Sequence, residues 1–202
     1  NAAASSPAAR RPGFQLARAQ VAQALNQTTE ANDLYKQLLL RFPISSEASV
    51  ARDRLKATGA IATLSAAEMR SLADAYYKAG RYSDASDEFH ALAHQDGLDI
   101  DTRDNFLVAA AACDLKLKRL TVPDAEVLPD TQDENGARRL YLLMELARDR
   151  TDTDGQQAIV KQMEVRFPNS PWLAEALFSS GNMYLLRRDY PKAVEYYGYL
   201  AE

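Results

Sequence analysis

Apolar residues recur at three- and four-residue intervals through most of this chain, broken by proline, glycine and capping residues. The pattern predicts about ten helices, over residues 13–25, 28–42, 45–57, 65–80, 82–94, 101–117, 135–148, 154–167, 170–187 and 189–202. Their ends carry local signals. Thr58-Gly59 stops the third helix, glycine being the residue that tolerates the left-handed conformation there. Ser65-Ala-Ala-Glu68 opens the fourth as a capping box, with a Glu three residues after the Ser. Asp152 and Asp154 suit the positive end of the helix that follows them.

One phrase occurs twice: Lys36-Gln-Leu-Leu-Leu-Arg-Phe-Pro-Ile-Ser45 and Lys161-Gln-Met-Glu-Val-Arg-Phe-Pro-Asn-Ser170. Pro43 and Pro168 cannot continue a helix, because each lacks an N–H and clashes with the preceding turn. Ser45 and Ser170 can cap the next helix by accepting from an early N–H. Repetition of a helix-ending phrase within one chain is the mark of a helical solenoid.

Two helix pairs superpose at an offset of 108 residues. Ala73 falls on Gly181, Tyr76 on Tyr184, Tyr82 on Tyr190, Ala85 on Ala193, Phe89 on Tyr197 and Leu92 on Leu200. Small residues would meet where helices cross, and aromatics would fill the grooves between them. This order of small, Tyr, Gly, Tyr, Ala and aromatic positions resembles the tetratricopeptide repeat. The resemblance implies an all-α, right-handed superhelix of about ten antiparallel helices covering residues 13–202, with an irregular break near 121–135. That break holds two prolines and five acids, and is expected to be a solvated loop or a contact for a cationic partner.

Composition narrows the function. The net charge is −4 with both signs mixed, which argues against nucleic acid as a partner. No apolar run approaches the ~20 residues that span a bilayer. Residues 1–12 read as a disordered lead-in or as residues foreign to the natural chain, having neither an initiator Met nor the apolar core of a secretory signal. Cys113, the only cysteine, lies in an alanine run and is expected to be a buried packing residue.

The chemistry-bearing residues form no catalytic set. His90 and His94 are spaced to share a helix face, as two metal ligands would, but no third ligand is fixed and Ala91 stands where a zinc peptidase keeps its Glu. They read as solvated. Arg150-Thr-Asp-Thr-Asp-Gly155 fails as a calcium loop, since Arg150 and Lys161 occupy its first and closing positions. No phosphate-binding glycine loop or nucleophile elbow is present. No catalytic, cofactor-binding or metal-binding residue is therefore expected. In the two clear repeats the first helix of each pair should line the concave surface. Candidate contacts are Arg70, Asp74, Tyr77 and Lys78 in one, and Phe178, Asn182, Leu185 and Leu186 in the other.

The stretch from Val165 to Leu200 is also similar to the helical arm that precedes the catalytic domain in bacterial soluble lytic murein transglycosylases. Those enzymes carry a Glu-Ser dipeptide and a later Gly-Leu-Met-Gln phrase, and neither occurs here. The resemblance implies a non-catalytic arm of a periplasmic, peptidoglycan-cleaving enzyme whose catalytic domain would follow. The alternative is a tetratricopeptide adaptor of the envelope or cytoplasm that binds a protein or peptide. The last helix is expected to run to Glu202 with Val194, Tyr197 and Leu200–Ala201 on one open apolar face, so that the native chain would continue and this piece could self-associate.

Overall fold

A computed structural model of the chain describes residues 11–200. Among them the secondary structure is entirely helical. The elements are α1 (Pro12–Ala24), α2 (Thr28–Arg41), α3 (Ser46–Ala57), a 3-10 turn (Ala60–Thr63), α4 (Ala66–Lys78), α5 (Tyr82–Ala93), α6 (Ile100–Lys116), α7 (Val122–Glu126), α8 (Glu134–Asp149), α9 (Thr153–Arg166), α10 (Pro171–Leu186) and α11 (Tyr190–Gly198). The chain clusters into two compact units, residues 1–92 and 93–202.

In the first unit α2 packs against both α1 and α3. Its core takes Leu34, Tyr35, Leu38 and Leu39 from α2, Leu55 from α3, Leu72 and Tyr76 from α4, and Phe89 and Leu92 from α5, all buried. Ser65 caps α4 in a complete capping box, its backbone N–H donating to Glu68 Oε2 at 2.8 Å. Arg52 ties α3 to α5: Nη1 meets Asp84 Oδ1 at 3.1 Å and Nη2 pairs with Glu88. The Arg52 and Arg81 guanidinium groups both lie over the Tyr76 ring, at 5.4 and 4.7 Å. Burial pushes the Glu88 carboxyl above its ordinary range, against the pull of Arg52.

The second unit is built on α6, α8, α9 and α10. From Phe106 onward α6 is apolar almost all round, and Phe106, Val108–Cys113 and Leu115 are buried, as such a stretch must be. Leu140, Met144, Val160, Met163, Phe167, Leu173 and Leu177 form the core between α8, α9 and α10. α11 lies on α10, where Tyr184 stacks on Tyr196 with ring centroids 5.4 Å apart. A methyl group added at Gly181 would lie 2.6 Å from the Tyr197 ring, so a larger residue there would have to push that ring aside. Three of the six pairs matched by the internal alignment, Ala73 and Gly181, Tyr76 and Tyr184, and Ala85 and Ala193, are buried at both positions.

Several sequence expectations are corrected. α1 begins at Pro12, one residue earlier than expected, where a missing N–H costs nothing; residues 1–10, expected as a lead-in, lie outside the described residues. The 121–135 break is not structureless. Thr121 and Asp124 form a capping box for α7, and Ala125 is buried. The acids of the break serve the chain itself: Arg166 Nη2 donates to Asp130 Oδ1 at 2.8 Å, and Asp133 caps α8. The last helix stops at Gly198, not at Glu202, and residues 201–202 lie outside the described residues. Tyr197 leaves the expected open row, its hydroxyl donating to Asn182 Oδ1 at 2.7 Å. Val194 stays 70% exposed.

Candidate functional site

A hollow of the second unit lies along α10, walled by α8 and the C-terminal end of α6, with a volume of about 640 Å³. Its position follows from the sequence of α10. Leu173, Ala176, Leu177, Ser180 and Tyr184 turn inward. Phe178, Asn182 and Leu186 then fall on the other side of the helix, each four residues from the next. Phe178 is 52% and Leu186 85% exposed, and both edge the hollow.

A closed polar triangle forms one wall. Arg148 Nη1 donates to Glu145 Oε1 at 3.0 Å and to Ser179 Oγ at 2.6 Å, and Ser179 Oγ donates to Glu145 Oε1 at 2.5 Å. Arg148 Nη2 meets Glu145 Oε2 at 2.6 Å. Glu145 is buried, so its charge must be paired, and Arg148 one turn later on α8 supplies the partner. Asp149 beside it pairs with Lys118 and Arg148. Burial would raise the Asp149 carboxyl, but those two cations outweigh it and hold it below the usual carboxylate range. The rest of the lining is mixed, with Lys116, Glu175 and Arg187 as charges and Tyr141 and Met183 as apolar surface.

The Glu145 carboxylate is held by an arginine and a hydroxyl. The exposed Phe178 and Leu186 offer apolar area, and Lys116, Asn182 and Arg187 offer polar direction.

The sequence candidates divide. Phe178, Asn182 and Leu186 line the hollow, whereas Leu185 is exposed outside it. Arg70 and Asp74 pair with each other on the surface of α4 at 4.0 Å. Tyr77 packs edge-on against Tyr82, ring centroids 5.4 Å apart. Lys78 lines a separate hollow of the first unit. The Glu145–Arg148–Ser179 wall was missed. Its one sequence trace is the Glu-x-x-Arg spacing on α8, and such spacing is common on solvated helix faces.

His90 lies on α5, and His94 falls just past its end at Ala93. Both are exposed. Among the described residues no group of three or more His, Cys, Asp or Glu side chains could hold a metal ion. Asp152 caps α9, accepting from the Gly155 N–H at 2.9 Å. Cys113 is buried, and burial pushes its thiol up to about 12. No helix among the described residues is long and apolar enough to cross a membrane. Comparison with protein families, with curated proteins and with solved structures finds no match to this chain.

Proposed function

We propose that the chain is a non-catalytic helical-repeat scaffold, a tetratricopeptide-like right-handed superhelix that binds its partner through the exposed face of α10. The observation that carries this reading is the hollow along α10, where Phe178 and Leu186 stay exposed beside a rigid polar wall. Matched burial at three of the six aligned positions, the small-residue and first tyrosine sites, supports the repeat architecture. On the resemblance of residues 165–200, the scaffold is the arm of a periplasmic lytic transglycosylase and its partner is peptidoglycan. The second reading is an adaptor for a protein or peptide, which the mixed apolar and charged lining favours.

Co-sedimentation with purified murein sacculi separates the two. The first reading expects binding to sacculi that Phe178→Ser and Leu186→Ser weaken without changing the helical circular-dichroism signal. If sacculi do not bind while a displayed peptide library yields ligands sensitive to the same substitutions, the adaptor reading stands. Insensitivity of all binding to both substitutions removes α10 as the contact face.

A further inference from the structure

The Arg-Phe-Pro-x-Ser phrase turns the chain twice with one backbone. Phe42 has φ −132° and ψ 51°, and Phe167 has φ −139° and ψ 52°. The Ser45 and Ser170 amides donate to the carbonyls of Phe42 and Phe167 at 2.9 and 3.0 Å. The preceding guanidinium lies over the Phe ring in both, at 5.5 and 5.0 Å.

What differs is the company each turn keeps. An acidic stretch of the chain itself covers the second. Arg166 Nη2 donates to Asp130 Oδ1 at 2.8 Å and to the Thr131 carbonyl at 3.2 Å, and Ser170 Oγ donates to Glu134 Oε2 at 2.7 Å. The close approach is built in: a methyl group at Gly136 would lie 2.0 Å from the Thr131 carbonyl oxygen. At the same spacing before the first turn, Asp130, Asp133 and Glu134 are matched by Ser5, Ala8 and Ala9, so those positions supply no acid.

The first turn instead borders an apolar hollow of about 490 Å³, shared with Ala75, Lys78 and Ala79 at the end of α4. Ile44 at its edge is 60% exposed. No carboxylate lines it, and among the described residues neither Arg41 nor Lys78 has an acidic partner. Two uncompensated cations beside an apolar hollow are conspicuous in a chain of net charge −4.

The geometry points to this first turn as the docking site for an extended acidic segment of a partner protein. A carboxylate of the segment pairs with Arg41, as Asp130 does with Arg166, and a second acid faces Lys78. An apolar side chain between them fills the hollow. Apolar burial supplies the affinity, and the two cations set direction and partner choice. The inference stands apart from the α10 hollow and does not depend on it.

The test uses a fluorescein-labelled peptide, Leu-Pro-Asp-Thr-Gln-Asp-Glu-Asn, which copies residues 128–135, titrated into the whole chain by fluorescence anisotropy. Saturable binding that weakens with added salt is expected. Arg41→Glu and Lys78→Glu should each weaken it about tenfold or more, while Lys161→Glu, elsewhere on the surface, should not. Arg41 and Lys78 are exposed, so the variants keep the parent's melting temperature. A peptide with Asn and Gln in place of its acids should not bind. The inference is overturned by no binding at millimolar peptide, by equal binding of the neutral peptide, or by loss with Arg166→Glu and not with Arg41→Glu.

Discussion

Cys113 shows how burial sets reactivity in a chain with a single thiol. It sits in the buried alanine run of α6, and removal from water disfavours the thiolate, pushing the thiol up to about 12. A thiol reagent at neutral pH should therefore leave the folded chain unmodified and label it fully in denaturant; mass spectrometry reads the difference. Titration of two carboxyls pulls stability in opposite directions. Asp133 is held below its ordinary value by the Thr131 hydroxyl first and by the amides of Asn135 and Gly136. Its contribution is present above the unfolded value near ~3.9 and is lost as pH falls through the depressed folded value. Glu88 is raised by burial, so its contribution is fully present below ~4.3 and is lost as pH rises through the folded value. Melting curves against pH should show Asp133→Asn flattening the acid limb and Glu88→Gln flattening the limb above it. Parallel curves for parent and variants would contradict this account.

At the scale of elements, helix crossings in this chain are set by small residues. Ala85 and Ala193 hold matching places in α5 and α11 and are both buried. Leucine at either should overpack its crossing, at about 1–3 kcal/mol. Thermal melts check it: two variants within a degree of the parent would mean the two helix pairs do not correspond. Local signals made this level readable from sequence. The Ser65 box, the Ser45 and Ser170 caps and the two prolines act within one turn of helix, so their outcome needs no knowledge of the fold. The 121–135 break misled because its prolines and acids look like solvated loop, while their partners Arg139 and Arg166 come from α8 and α9. Long-range pairing of that kind leaves no periodic trace. The candidate site was half legible for the same reason. Helical spacing alone put Phe178, Asn182 and Leu186 on one face, but the wall opposite them depends on α8 packing beside α10.

For the whole molecule, the internal alignment shows which apolar positions are less covered. Phe89 and Leu92 of α5 are buried, yet their counterparts are less covered: Tyr197 is half-buried and Leu200 is 39% exposed. Tyr190 and Val194 add exposed apolar area on α11. Fully burying such side chains contributes at most about 1.5–3 kcal/mol each, and Tyr190, Val194 and Leu200 in both copies supply that gain against the cost of association. The chain should therefore self-associate through α11 as its concentration rises. Tyr197 takes no part, since its hydroxyl is bound to Asn182 and its ring covers Gly181. Sedimentation velocity over a concentration series should show the weight-average mass rising for the parent and staying monomeric for Val194→Lys combined with Tyr190→Ser. Tyr197→Phe serves as the control. It loses the bond to Asn182 but leaves the outer surface of α11 as it was, so its association should match the parent's. A parent that sediments as a monomer at every concentration would show that this apolar area is too small or too dispersed to join two copies.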